Sequence, residues 1–257
     1  MILHIPHSSI FIPKCYNTQW IGDFDKAIHV LTDHYTDELF DYPNTQRVVS
    51  SVSRIVCDVE RFEIAEEMEE RFGMGIVYEC DHLQNILRVV SSELKNEIVD
   101  RYYRPHHRAL YSAVKEELSL QGKSVIVDCH SFNDEQLLHV TNTVRPDFCI
   151  GTDSFHTPPE LVDQLVKYLN DYGYSVAVNE PFAGTIVPLD YYHVNPAVIS
   201  VMIEVNKRLY LDEQIQKNRE FEMRKAVITD MLKIISNFKT NRIDITGSLL
   251  PTIGVEK

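Results

Sequence analysis

Short β-branched apolar runs alternate along the chain with longer stretches in which apolar residues recur at helical spacing. That pattern predicts an α/β fold, a single domain built on a mixed, largely parallel sheet flanked by helices. The runs MILHIP, QRVVSSVS, IVCDVE, SVIVDCH, DFCIGT, SVAVNE and AVISVMIEV are the predicted strands. Helices are predicted over Asp25 to Phe40, Leu83 to Gln121 with a break near Pro105, Pro158 to Tyr172, and Asp212 to Lys239. The third begins where Thr157 supplies a cap and a proline suits the first turn; it ends before Gly173, which suits a left-handed C-terminal cap. No internal repeat or Gly/Ser linker interrupts the chain, so residues 1–238 are expected to form one domain. Residues 239–257 lack a strong helical pattern and are expected to form a surface tail.

Composition narrows the possible functions. At 257 residues with 44% apolar content, the chain is long enough to bury one full core. Its 38 acidic and 25 basic residues give a formal charge of -13, which repels nucleic acid and anionic membrane. The acidic run FEIAEEMEERF, Phe62 to Phe72, reads as a solvated helix face. No segment approaches the roughly 18 apolar residues of a membrane helix, and MILHIPHSS lacks a basic segment followed by an apolar run, so a cytoplasmic protein is expected. Five scattered cysteines in no CxxC pair point to buried free thiols rather than disulfides or a cysteine zinc site.

In open α/β sheets, ligand-binding groups gather where strands end and loops converge on a crevice. His7 follows ILHIP, His130 ends VIVDC, and Glu204 lies within a strand otherwise too apolar to hold a carboxylate without a partner. Histidine and carboxylate groups from distant positions are what a hydrolytic zinc site uses: three protein ligands, and water activated in the fourth position. An unpaired carboxylate beside that water serves as general base and then as acid for the leaving amine. No HExxH or comparable short motif is present, so a strand-end histidine satisfied by a backbone carbonyl also fits His130. His4 is expected on the other side of the sheet from His7, as a packing residue. His106 and His107, in YYRPHHRAL, fit a helix after a proline, as pocket wall or as structure.

The ordered series HIPHSS, TDHYTDELF, SRIVCDVERF, RPHHRAL, VDCHSF, NEPFAGTIVP and IEVNKRLY resembles the N-formylglutamate amidohydrolases over about residues 1 to 235. That family is similar in fold to the zinc carboxypeptidases. The resemblance implies His7 and His130 as metal ligands and Glu204 as the catalytic glutamate. Three residues after the first histidine, where the carboxypeptidases carry a carboxylate ligand, this chain has Ile10. Asp33, near the start of the first helix, is the acid expected to replace it, with Asp37 and Asp58 as reserves. Arg61, which ends CDVER, resembles the arginine that grips a substrate carboxylate through a forked pair of charge-assisted hydrogen bonds. Glu60 stands where the family has asparagine, and an acid there is expected to weaken the field of Arg61. Arg54 is a candidate to stabilise the oxyanion, and a surface salt bridge fits it equally. Asn179 is a candidate substrate contact, or a turn residue before Pro181. NEPFAG lacks the family's second glycine, which implies a reshaped pocket rim.

The resemblance therefore implies a zinc-dependent amidohydrolase acting on a small anionic amide of the N-formylglutamate kind. Other divalent transition metals share these ligand types. A binding protein that kept the scaffold without turnover is the alternative of a different class, favoured by Glu60 and Ile10 and opposed by Glu204. A carboxypeptidase-like peptidase and a cell-wall amidase are the rivals among enzymes. Nothing in the sequence specifies an oligomeric state.

Overall fold

Six parallel or antiparallel neighbours make one sheet in a computed structural model that describes residues 1–63, 69–134 and 145–239. The strands are β1 (Ile2–Ile5), β2 (Gln46–Val49), β3 (Ser124–Phe132), β4 (Phe148–Gly151), β5 (Val176–Val178) and β6 (Val198–Asn206). Their order across the sheet is β2-β1-β3-β6-β4-β5. Only the β4–β6 pairing is antiparallel, so the expected mixed, largely parallel sheet is what forms. All residues of β3 and β6 are buried, as strands covered on both faces must be.

The two-residue period of a strand assigns these residues to two faces. Leu3, Ile5, Val127, Cys129, Val201, Ile203 and Val205 pack against α2 (Thr36–Leu39), α5 (Pro159–Asp171) and α6 (Phe221–Asn237). Ile2, Ile126 and Val198 pack on the other face against α4 (Arg104–Gln121), and that parity carries His4, Asp128, His130 and Glu204 with it. The remaining helices are α1 (Phe24–Leu31) and α3 (Ser92–Ile98), with a π-helical turn, Val99–Tyr103, between α3 and α4. No described helix is long and apolar enough to cross a membrane. All five cysteines are free; Cys57, Cys129 and Cys149 are buried as expected, whereas Cys15 is exposed and Cys80 half-buried.

Several predicted elements form differently, each for a local reason. IVCDVE is a series of turns rather than a strand, because its carbonyls have a side-chain partner instead of a neighbouring strand. The buried Arg88 guanidinium donates to Ile55 O at 2.9 Å, Val56 O at 3.1 Å and Tyr78 O at 2.9 Å, and lies 4.5 Å from the centre of the Trp20 ring. The helix predicted over Asp25 to Phe40 breaks into α1 and α2, with Tyr35 left-handed at φ 61° between them. The one predicted from Leu83 begins only after Ser91, whose hydroxyl caps α3 by accepting from Leu94 N. Pro105 does not break it: the π turn feeds directly into α4, whose first turn can do without the N–H that proline lacks. The last helix starts at Phe221, because Asp212 Oδ1 accepts from Gln214 N and Gln216 N and holds that stretch as a turn. Thr157 is not a cap; its hydroxyl donates to Ser200 O at 2.6 Å. Of the acidic run, residues 64–68 lie outside the described residues and Glu69–Phe72 is a single 3-10 turn. The predicted tail from 240 onward also lies outside them.

Gly173 does end α5 as expected. It takes φ 83°, with Gly173 N donating to Asn170 O and Tyr174 N to Leu169 O. A Cβ there would meet nothing within 4 Å, so Gly173→Ala should cost only backbone strain, about 1 kcal/mol. Urea denaturation measures this, and an unchanged midpoint would contradict the assignment of strain.

Candidate active site

The carboxyl ends of β1, β3 and β6 open on a cleft of about 380 Å³. Parallel register sets His130 directly beside Glu204 at this edge. His7 lies two residues beyond β1, where the chain has left the sheet, so strand parity does not govern it. Its carbonyl accepts from Asp33 N at 3.0 Å, which draws the turn between α1 and α2 into the site.

Each histidine ring is held from two sides. His7 Nε2 bonds Asp58 Oδ1 at 2.8 Å; its Nδ1 points towards Asp33 Oδ2 at 3.5 Å and Glu60 Oε2 at 3.9 Å, yet is buried without a hydrogen-bond partner. His130 Nδ1 bonds Asp33 Oδ2 at 3.1 Å, and its Nε2 stands 3.1 Å from both Asp128 Oδ1 and Glu60 Oε1. One ligand atom each from His7, Glu60 and His130 lies within 4.8 Å of the others, close enough to share an ion.

The acid in that group is therefore Glu60, where Asp33 had been expected. The turn explains it: Glu60 N donates to Asp58 Oδ1 at 3.1 Å, which aims the Glu60 side chain at the histidines instead of at Arg61. Asp33 lies beside the same two rings, hydrogen-bonded to His130 and 3.5 Å from His7 Nδ1. Burial alone would raise its carboxyl, but the hydrogen bond from His130 and the nearness of both imidazoles outweigh burial and hold it below the usual range. Asp37, the first reserve, is not on the cleft wall. Its carbonyl instead accepts from Arg47.

Asp58, the other reserve, has a different place. Fully buried, it accepts from His7, from Tyr78 OH at 2.7 Å, and from Arg54 through Nε at 3.2 Å and Nη2 at 2.8 Å. Burial opposes its charge, and Arg54 with His7 and Arg61 more than reverses the effect, so the carboxyl stays well below its usual range. Arg54 and Arg61 both line the cleft. Arg54 is committed to Asp58, while Arg61 Nε donates to Met74 O at 3.2 Å and sits 3.6 Å from Asp58 Oδ2.

Glu204 faces the cleft at 7% exposure, and its Oε2 is buried with no hydrogen-bond partner. Burial lifts its carboxyl to about 8, with His130 the strongest opposing influence. A carboxyl poised near neutral pH can take a proton and return it. Asn179 is not among the residues lining the cleft. With φ 58°, it accepts from Thr152 N at 2.8 Å and donates to Thr152 Oγ1 at 2.7 Å, which fits the turn-residue reading at the β4–β5 end.

Sequence reasoning missed Asp128 and the chemical side of His4. His4 Nδ1 lies 2.7 Å from Asp128 Oδ1, and the two residues are register partners across β1 and β3. Asp128 and His130 are two apart on one strand, hence on one face, a signal legible in VDCH. Arg145, Lys207 and Phe182 also line the cleft and carried no comparable signal, because loops bring them there.

Comparison with known proteins agrees with this architecture. A crystal structure of an N-formylglutamate amidohydrolase from Ralstonia eutropha JMP134 superposes with a TM-score of 0.81 at 23% identity, over 91% of this chain and 92% of that one. The gene product Atu2144 from Agrobacterium tumefaciens superposes with a TM-score of 0.60 at 19% identity, over 92% and 91% of the two chains. No curated protein matches the sequence significantly. At these identities the likenesses establish the fold. The sequence profile of the N-formylglutamate amidohydrolases matches residues 1–211, which is most of the chain and includes every residue of the cleft described above; the chain belongs to the N-formylglutamate amidohydrolase family.

Proposed function

We propose that this amidohydrolase is metal-dependent and cleaves the amide of a small N-acyl amino acid of the N-formylglutamate class, with Glu204 as general base. One observation carries the reading: His7, Glu60 and His130 converge beside a buried, unpartnered Glu204 oxygen, and His7 Nδ1 is itself buried without a partner. An orphaned imidazole nitrogen next to two carboxylates is a costly arrangement without an ion and a favourable one with it. The donor set of two histidines and a glutamate fits zinc, and other divalent transition metals. When bound, such a metal supplies Lewis acidity, polarising an amide carbonyl and making hydroxide available at neutral pH.

The chain's own residues do the rest. Asp58 holds the His7 ring through Nε2 and Asp33 holds His130 through Nδ1, so the remaining nitrogens keep a fixed aim. Glu204 accepts the proton of the attacking water and hands it to the departing amine. Arg61 orients the substrate through its carboxylate, and Arg54 adds positive field where the carbonyl oxygen gains charge. The overall negative charge does not oppose an anionic substrate, since these arginines face the cleft. Glu60, which favoured a binding-only role while it stood as a departure beside Arg61, instead supports the hydrolytic reading.

Elemental analysis of purified protein tests the metal. Wild type is expected to carry bound zinc or another divalent transition metal, and His130→Ala and Glu60→Ala are expected to lose it while keeping their circular dichroism. Hydrolysis of N-formyl-L-glutamate by the wild type, abolished by chelation and restored by zinc, is the matching activity. Turnover that survives complete metal removal would refute the mechanism.

A further inference from the structure

We propose that the centre holds two metal ions, bridged by Glu60, with His4 and Asp128 as ligands of the second. The inference rests on the single-metal reading above and extends it to residues that reading leaves without work. A second group of metal-competent atoms, from His4, Glu60 and Asp128, also lies mutually within 4.8 Å, and Glu60 belongs to both groups.

The two Glu60 oxygens point to different sides. Oε2 lies 3.9 Å from His7 Nδ1; Oε1 lies 3.1 Å from His130 Nε2 and 4.0 Å from His4 Nδ1. Glu60 thus reaches ligand atoms of both groups, Oε1 facing His130 and His4 alike, and two-metal hydrolases hold their ions about 3.5–4 Å apart. Asp128 Oδ1 lies 2.7 Å from His4 Nδ1 and 3.1 Å from His130 Nε2, so it belongs to the same cluster.

Charge supports a second cation. Asp128, at 1% exposure, has His4, His130 and the Ile186 N–H as its hydrogen-bonding neighbours and no arginine or lysine within ion-pair range among the described residues. Asp58, by contrast, has Arg54. Asp33, Glu60 and Asp128 together with one hydroxide carry four negative charges, the number that two divalent ions neutralise. A single ion would leave two buried negative charges for the histidines to balance.

His4 is prepared for ligation from behind. Its Nε2 lies 2.8 Å from His106 Nε2, so one of the two nitrogens must carry a hydrogen. Ligation through His4 Nδ1 would require the hydrogen to sit on Nε2, and His106 Nε2 is placed to accept it there.

Metal uptake by the chelated full-length protein decides the matter. Titration with zinc, read by calorimetry and confirmed by elemental analysis after desalting, is expected to give two equivalents for wild type and one for His4→Gln. Loading with Mn2+ should give an exchange-coupled electron paramagnetic resonance spectrum in wild type and an isolated-ion spectrum in the variant. Asp128→Asn is the second variant should His4→Gln fail to fold, and it too is expected to keep one equivalent. Saturation of wild type at one equivalent would overturn the proposal and leave His4 as a donor to Asp128, with the single-metal mechanism intact. Two equivalents in the folded variants would overturn it as well. No uptake by wild type would overturn both this proposal and the hydrolytic reading beneath it.

Discussion

Glu204→Gln is expected to retain its metal and its fold while kcat on N-formyl-L-glutamate falls by between about 10²- and 10⁴-fold, the range general acid–base catalysis contributes. Glutamine keeps the shape and loses the ability to take up a proton. The variant's melting temperature is expected to hold or rise, because a buried carboxyl oxygen without a hydrogen-bond partner is replaced by a neutral amide. That opposite movement of rate and stability separates a catalytic group from a structural one. A kcat within a factor of a few of wild type, at full metal occupancy, would remove Glu204 from the mechanism.

The largest loss of stability is expected from Asp58→Ala. This fully buried carboxylate collects bonds from Arg54, Tyr78, His7 and the Glu60 N–H. Removing it strands the Arg54 guanidinium and releases the His7 ring together. Breaking a buried pair by deleting one partner costs about 3–5 kcal/mol, a large share of the stability of most domains. Urea unfolding measures the loss, and metal content measures the second effect. A loss below about 1 kcal/mol would show that the network is not under the tension its burial implies. Asp58→Asn, which keeps the shape and part of the bonding, should fall between the two.

What the sequence revealed follows from the range of each signal. Strand runs and the parallel sheet were legible because a buried strand needs consecutive apolar residues whatever its neighbours do. That His7, His130 and Glu204 would share a cleft was legible because polar residues at or near the carboxyl ends of parallel strands converge there. IVCDVE misled because it is apolar enough for a strand, and Arg88, far along the chain, takes its carbonyls. Glu60 was read through its sequence neighbour, Arg61, although the turn at Asp58 aims it at His130. Asn179 looked like a pocket residue from its place beside Pro181, but a left-handed backbone turns it towards Thr152. Side-chain aim in loops depends on contacts that no local pattern encodes.

The register that sets His130 against Glu204 across β3 and β6, with His4 against Asp128 across β1 and β3, also fixes when the centre comes into being during synthesis. His4 and His7 leave the ribosome some two hundred residues ahead of Glu204. At roughly 5–20 residues per second, that is a wait of about 10–40 s. During that interval the early histidines and acids are exposed and without their partners. The nascent chain has no complete centre until β6 slots between β3 and β4, so the centre forms all at once rather than piece by piece.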